Sequence, residues 1–152
     1  MSDSAGTTFT GSCHCGFIKY KAELSISETE PPVASRCNCT ICLKQGYTSM
    51  RLARPSDFTL LSPESASQVK DYQMRSKDVH KYFCDKCGIH VWSTGRYEFE
   101  GQTHDFMTLN ILTLDQPQPG LDLSKFKIEY WDGRNDNWKA GASDTPYPGQ
   151  CL

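Results

Sequence analysis

Seven of the eight cysteines in this chain fall into three tight clusters: Cys13-His14-Cys15, Cys37-Asn38-Cys39-Thr40-Ile41-Cys42 and Cys84-Asp85-Lys86-Cys87. Thiolates one or two residues apart converge on a soft metal ion, so any fold this chain adopts has to bring these clusters to metal. Seven sulfurs divide into four, which close a tetrahedral site, and three, which leave a coordination position open. A secreted disulfide framework is the alternative use of eight cysteines. The spacings argue against it, and so does the polar start Met1-Ser2-Asp3-Ser4-Ala5-Gly6-Thr7-Thr8, which lacks the basic and apolar parts of a signal peptide.

No run approaches the roughly 20 apolar residues of a membrane helix. The chain is therefore expected to be soluble and cytoplasmic, where thiols stay reduced and clustered cysteines favour metal. Lysine and arginine number 16 against 18 acidic residues, a net charge of -2, so no electrostatic argument favours nucleic acid or an anionic membrane as partner. A length of 152 residues suits one domain over 1–152, with the motifs in a core of about 9–131 and a tail over 132–152.

The patterning predicts a mainly β chain. Gly16 to Ala22 alternates apolar with polar, and further strands are expected at Ser49 to Ala53, Phe58 to Leu61, Val69 to Gln73, Val79 to Phe83, His90 to Ser93, Phe106 to Leu112 and Phe126 to Trp131. One short helical turn is expected from Thr40 to Gln45, stopped by Gly46. After Cys87, Gly88 suits a knuckle turn that needs a positive backbone angle. So small a sheet with so much loop is a scaffold that a structural metal commonly stabilises.

The pairs Cys13–Cys15 and Cys84–Cys87 are each incomplete alone and each adjoins a predicted strand. Together they make a closed four-thiolate site that fastens the N-terminal strand to the middle of the chain. Cys37, Cys39 and Cys42 then need a fourth ligand from His14, His80, His90, His104 or Cys151, or else water or a substrate atom fills the position. Cys151, beside the C-terminus, reads as a free thiol. Three thiolates on zinc carry a net charge near -1 and suit an exchangeable thiol, which coordination holds as a nucleophilic thiolate. Carbon–sulfur chemistry fits this set better than hydrolysis, whose metal sites use histidine and carboxylate, and no His-Glu-x-x-His element occurs.

Taken together, Gly11-Ser12-Cys13-His14-Cys15-Gly16, Cys37-x-Cys39-x-x-Cys42 with Lys44 and Gly46, and Phe83-Cys84-x-x-Cys87-Gly88-x-His90-Val91-Trp92 resemble the glutathione-dependent formaldehyde-activating enzymes, the CENP-V/GFA domain of Mss4-like fold. The resemblance spans about residues 9–112, and the segment from Tyr130 to Trp138 is similar to that of fungal members. It implies an Mss4-like β-tent of small antiparallel sheets and two zinc ions per chain. One is structural, on Cys13, Cys15, Cys84 and Cys87, and one catalytic, on Cys37, Cys39 and Cys42. It also implies a small-molecule thiol and a carbonyl substrate, as in S-(hydroxymethyl)glutathione synthase, a carbon–sulfur lyase. Arg36, Lys44 and Arg51 flank the second cluster and either hold the carboxylates of a glutathione-like thiol or are solvated charges. Trp92, Trp131 and Trp138 are read as core or lid packing rather than pocket wall. Two other functions remain open: the same scaffold acting on a larger substrate in a specialised biosynthetic pathway, and a non-catalytic zinc module that binds a protein.

Overall fold

The computed structural model describes residues 6–148. Strand β1 (Thr7–Ser12) turns Phe9 and Gly11 inward, and in β2 (Lys19–Leu24) Tyr20, Ala22 and Leu24 are buried while the residues between them are exposed. This period of two lets one face meet the core and the other meet water. The chain continues through β3 (Val33–Cys37), α1 (Thr40–Gln45), β4 (Ser49–Arg51), β5 (Phe58–Ser62), β6 (Lys70–Gln73), β7 (Val79–Phe83), β8 (His90–Phe99), β9 (Gln102–Asn110) and β10 (Lys127–Trp131), with short 3-10 turns between. The protein is mainly β, as expected. Among the described residues no helix is long and apolar enough to cross a membrane.

Two sheets form. One is β1-β2-β5, antiparallel throughout; the other has seven strands in the order β10-β3-β4-β9-β8-β7-β6. In this second sheet the β10–β3 pair is parallel rather than antiparallel. A parallel pair needs a long crossover, and here most of the domain supplies it. The consequence is local to the second cysteine cluster: the register sets Trp131 opposite Cys37, so the residues after β10 must pass beside that cluster.

Between the sheets runs a chain of packed rings, Tyr20–Phe58–Trp92–Tyr82, with centroids 5.2, 5.0 and 4.5 Å apart. Trp92 is 3% exposed and is core, as read from sequence. Helix α1 and strand β7 have the expected bounds. Strands β1 and β3 were not expected, because threonine-rich or mixed segments carry little local signal and their order comes from neighbours. The β8–β9 hairpin also runs beyond the expected His90 to Ser93 and starts earlier than Phe106, and along that extension Arg96 bonds Asp105 across the strands at 2.7 Å.

Gly11 is required by packing. A Cβ there would lie 2.1 Å from the ring of Tyr20, whose hydroxyl is fixed 2.7 Å from Thr113 Oγ1. Gly11→Ala should therefore cost about 1–3 kcal/mol by overpacking. Thermal unfolding of the purified variant checks it, and an unchanged midpoint would mean that the Tyr20 ring moves aside freely.

Candidate metal centres

Two turns build the first centre. Cys13 N–H donates to Ile18 O (3.0 Å), Gly16 N–H to Cys13 O (3.3 Å) and Ile18 N–H to Cys13 Sγ (3.3 Å). The second turn repeats the plan: Cys84 N–H donates to Ile89 O (2.9 Å) and Gly88 N–H to Cys84 O (2.7 Å). Gly16 (φ 82°) and Gly88 (φ 79°) take the left-handed conformation that closes each turn. The sulfurs of Cys13, Cys15, Cys84 and Cys87 all lie within 4.8 Å of one another, with Cys13–Cys15 at 3.7 Å and Cys15–Cys84 at 3.6 Å. A thiolate tetrahedron with metal–sulfur bonds of about 2.3 Å has an edge of about 3.8 Å, so this set fits a metal ion. Burial pushes the Cys84 thiol up to about 12. Burial also works against a charged Cys87, but the N–H groups of Cys15 and Ile89 outweigh it and bring that thiol down to about 6.

The second centre sits where β3 runs into α1. Cys37 ends the strand, Cys39 is the residue before the helix, and Cys42 lies in its middle. Cys39 N–H donates to Cys37 Sγ at 3.4 Å, Leu43 N–H to Cys39 O at 2.9 Å, and Gly46, in the left-handed conformation, ends the helix. The three sulfurs lie within 4.8 Å of one another, and among the described residues no histidine nitrogen or carboxylate oxygen joins them. Cys151 lies outside the described residues. Hydrogen bonds from Cys37 and Cys42 hold Cys39 as a thiolate far below the usual thiol range. The donors are pushed up, Cys37 chiefly by its bond to Cys39 and Cys42 chiefly by its bonds to Cys37 and Cys39. An ion binding all three sulfurs must expel those protons.

A loop beyond β10 presses on this centre. Asn38, 1% exposed between two cysteines, donates through Nδ2 to Asp132 Oδ1 at 2.6 Å, and its Oδ1 accepts from Arg134 N–H at 2.8 Å. Asn135 and Asn137 also donate to Asp132. Burial opposes charge on Asp132, yet the bonds from Asn135, Asn38 and Asn137 outweigh it and hold the carboxyl below the usual range. The loop approaches so closely that a Cβ on Gly133 would lie 2.5 Å from Cys37 Sγ and 2.8 Å from the indole of Trp138. Trp138 is 44% exposed and its ring centre is 6.3 Å from that of Trp131. It therefore packs beside Trp131 and Gly133 while remaining partly exposed.

On the side of β7, the Lys81 ammonium donates to Cys42 Sγ at 3.8 Å and to Ser93 Oγ at 3.5 Å, and lies 5.0 Å from the centre of the Tyr47 ring. Ser93 Oγ donates to Tyr47 Oη (3.4 Å), which donates to Thr108 O (3.1 Å). Neither Asn38, Gly133 nor Lys81 was singled out from sequence. A lysine in an ordinary strand pattern reads as solvated, and an asparagine between ligands reads as turn.

The residues expected to meet substrate are dispersed. Arg36 is half-buried with Nε 3.3 Å from Thr48 Oγ1, Lys44 is exposed in the last turn of α1, and Arg51 donates to Tyr97 Oη (3.1 Å) and Asp105 O (3.0 Å) on the β8–β9 hairpin. Of the histidines, His90 takes a bond of 2.9 Å between Nδ1 and Gln45 Nε2, and burial, then Lys81, lowers its pKa. His80 pairs with Asp71 at 2.6 Å, His104 stacks on Tyr97, and His14 is exposed.

Among solved structures, the crystal structure of a Rhodobacter sphaeroides protein is 25% identical, with a TM-score of 0.54 over 72% of this chain and 91% of that one. The model of the family described as glutathione-dependent formaldehyde-activating enzyme matches residues 8–131, a span that holds all seven clustered cysteines and stops one residue short of the Asp132 loop. On that match, the chain belongs to the glutathione-dependent formaldehyde-activating enzyme family.

Proposed function

We propose that this protein is a zinc-dependent carbon–sulfur lyase or synthase acting on the thiol adduct of a small carbonyl compound. Family membership supports a glutathione-dependent formaldehyde-activating or related function. The observation that carries the finer reading is the convergence of Cys37, Cys39 and Cys42 with no fourth ligand among the described residues. Cys13, Cys15, Cys84 and Cys87 would hold a structural zinc ion. The other three cysteines would hold a second, which supplies a Lewis-acidic position where a substrate thiol loses its proton and persists as a nucleophile at neutral pH.

The reaction is an addition without redox change. The thiol sulfur bonds to the carbonyl carbon, the carbon–oxygen π pair moves to oxygen, and the thiol proton ends on that oxygen; the reverse breaks the carbon–sulfur bond. The chain's own groups serve the cluster's geometry. The Asn38–Asp132 bond anchors the loop that carries Gly133, Gly133 leaves room for Cys37 Sγ, and Trp138 shields one side from water. Arg36 and Lys44 remain proposed contacts for the carboxylates of a glutathione-like thiol, and Arg51 would join them only by leaving Tyr97 and Asp105.

The exposed indole of Trp138 favours a second reading, in which the adduct is larger than that of formaldehyde with glutathione and lays an apolar part on the ring. A panel of thiols and aldehydes separates the two.

Cys39→Ala tests the central claim. Changing a group that only orients a metal's ligands commonly costs about 10–100-fold, so loss of this ligand itself should lower zinc-dependent turnover above the uncatalysed background by more than about 100-fold. The thermal midpoint should barely move. Full turnover in the variant rejects the mechanism, and a wild-type chain with one zinc ion points instead to a protein-binding module.

A further inference from the structure

Lys81 is 6% exposed, and among the described residues no carboxylate lies within ion-pair distance of its ammonium. Its neighbours are Cys42 Sγ, Ser93 Oγ and the face of Tyr47. A buried ammonium without a counter-charge is costly, far more so than a paired one. The anionic partner at hand is the thiolate set, and Ser93 and Tyr47, bonded to each other, fix the direction in which the ammonium points.

We propose that Lys81 is a positioning residue of the three-cysteine centre, a fixed positive charge acting through Cys42 that makes the open position select an anionic sulfur ligand over a neutral one. This rests on the reading that the centre holds a divalent ion. Three thiolates and a dication sum to -1, and Lys81 brings the half-buried assembly to zero. A substrate thiolate then takes it to -1 instead of -2, a difference that weighs more at a half-buried site than in bulk water. Uptake of the ion itself is nearly charge-neutral, since a dication enters as thiol protons leave. Lys81 should therefore matter little for metal content and much for the fourth ligand. The substrate class this selects is a thiol that binds as thiolate, not a neutral carbonyl or an amine.

Cobalt(II) loaded into both centres reports this, because a new sulfur-to-cobalt charge-transfer band appears when a thiol joins the open site, while the four-cysteine centre serves as internal control. Glutathione and imidazole are titrated into the wild-type chain, Lys81→Met and Lys81→Arg. Methionine keeps the bulk and removes the charge, so Lys81→Met should still bind two ions and take imidazole within about twofold of wild type. It should lose about 10–100-fold in glutathione affinity, and Lys81→Arg should recover part of that loss. Equal losses for glutathione and imidazole would show a packing role and overturn the inference, as would unchanged glutathione affinity in Lys81→Met. A wild-type chain that holds a single cobalt ion overturns the second-centre reading and the inference with it. Two ions in the wild type, with glutathione insensitive to Lys81, overturn the inference alone.

Discussion

Replacing Cys84 with serine should leave a chain that no longer unfolds cooperatively at ordinary temperatures. Cys84 is fully buried and belongs to the turn between β7 and β8, while Cys13 and Cys15 belong to the turn between β1 and β2. A metal ion held by the four sulfurs would thus tie the three-stranded sheet to the seven-stranded one. A serine hydroxyl is a poor ligand for a thiolate-preferring ion and would also be buried in place of a sulfur. Structural zinc in small domains contributes apparent binding free energies of about 10–16 kcal/mol, whereas a whole domain is stable by about 5–15 kcal/mol. The two are of the same order, so losing most of the first leaves little of the second. Far-UV circular dichroism during heating, with and without chelator, measures this; a Cys84→Ser protein that melts cooperatively within about 2 °C of wild type would sink the structural role, given that about 1 kcal/mol moves a chain of this size by about 2–4 °C.

Gly133→Ala should do the opposite, sparing the fold and emptying the second centre. Gly133 does not need a positive φ, so the backbone tolerates alanine, and the effect is one of space. The new methyl would sit 2.5 Å from Cys37 Sγ, where ordinary contact begins at 3.4 Å. Trp138 is exposed enough to swing away, but Cys37 is held by its pairing with Trp131 and by Cys39 N–H. Either the sulfur shifts by about 1 Å or the loop lifts and strains the Asn38–Asp132 bond. A misplacement of about 1 Å commonly costs about 100-fold in rate. The expected result is about that loss in turnover, a fall from two zinc ions per chain to one, and a nearly unchanged thermal midpoint. A variant with two ions and wild-type turnover would show that the loop does not constrain the cluster.

The contrast between these substitutions follows what was legible before folding. Helix α1 could be bounded from its own residues, because Gly46 ends it by a local conformational preference. The knuckle at Cys84 was legible for the same reason, through Gly88. Strand β3 was not, since Val33 to Cys37 has neither clean alternation nor a turn at its end; it is ordered by β10 on one side and β4 on the other. Lys81 illustrates the limit most clearly. Its strand was expected with the right bounds, yet nothing in Val79-His80-Lys81-Tyr82-Phe83 says that the lysine faces a thiol and an aromatic ring instead of water.

The sequence alone determined the inventory of candidate ligands, because cysteine pairs that could hold a metal are set by spacings of one or two residues and need little beyond a turn. It also determined the β character and, through the order of the three cysteine motifs, the family resemblance. The surroundings of the three-cysteine centre were decided only in three dimensions. Sheet order brings β10 beside β3, so Gly133 meets Cys37 from nearly 100 residues away, and the packing of β7 turns Lys81 toward Cys42. Those contacts depend on which strands become neighbours, a property of the whole chain that no short segment encodes.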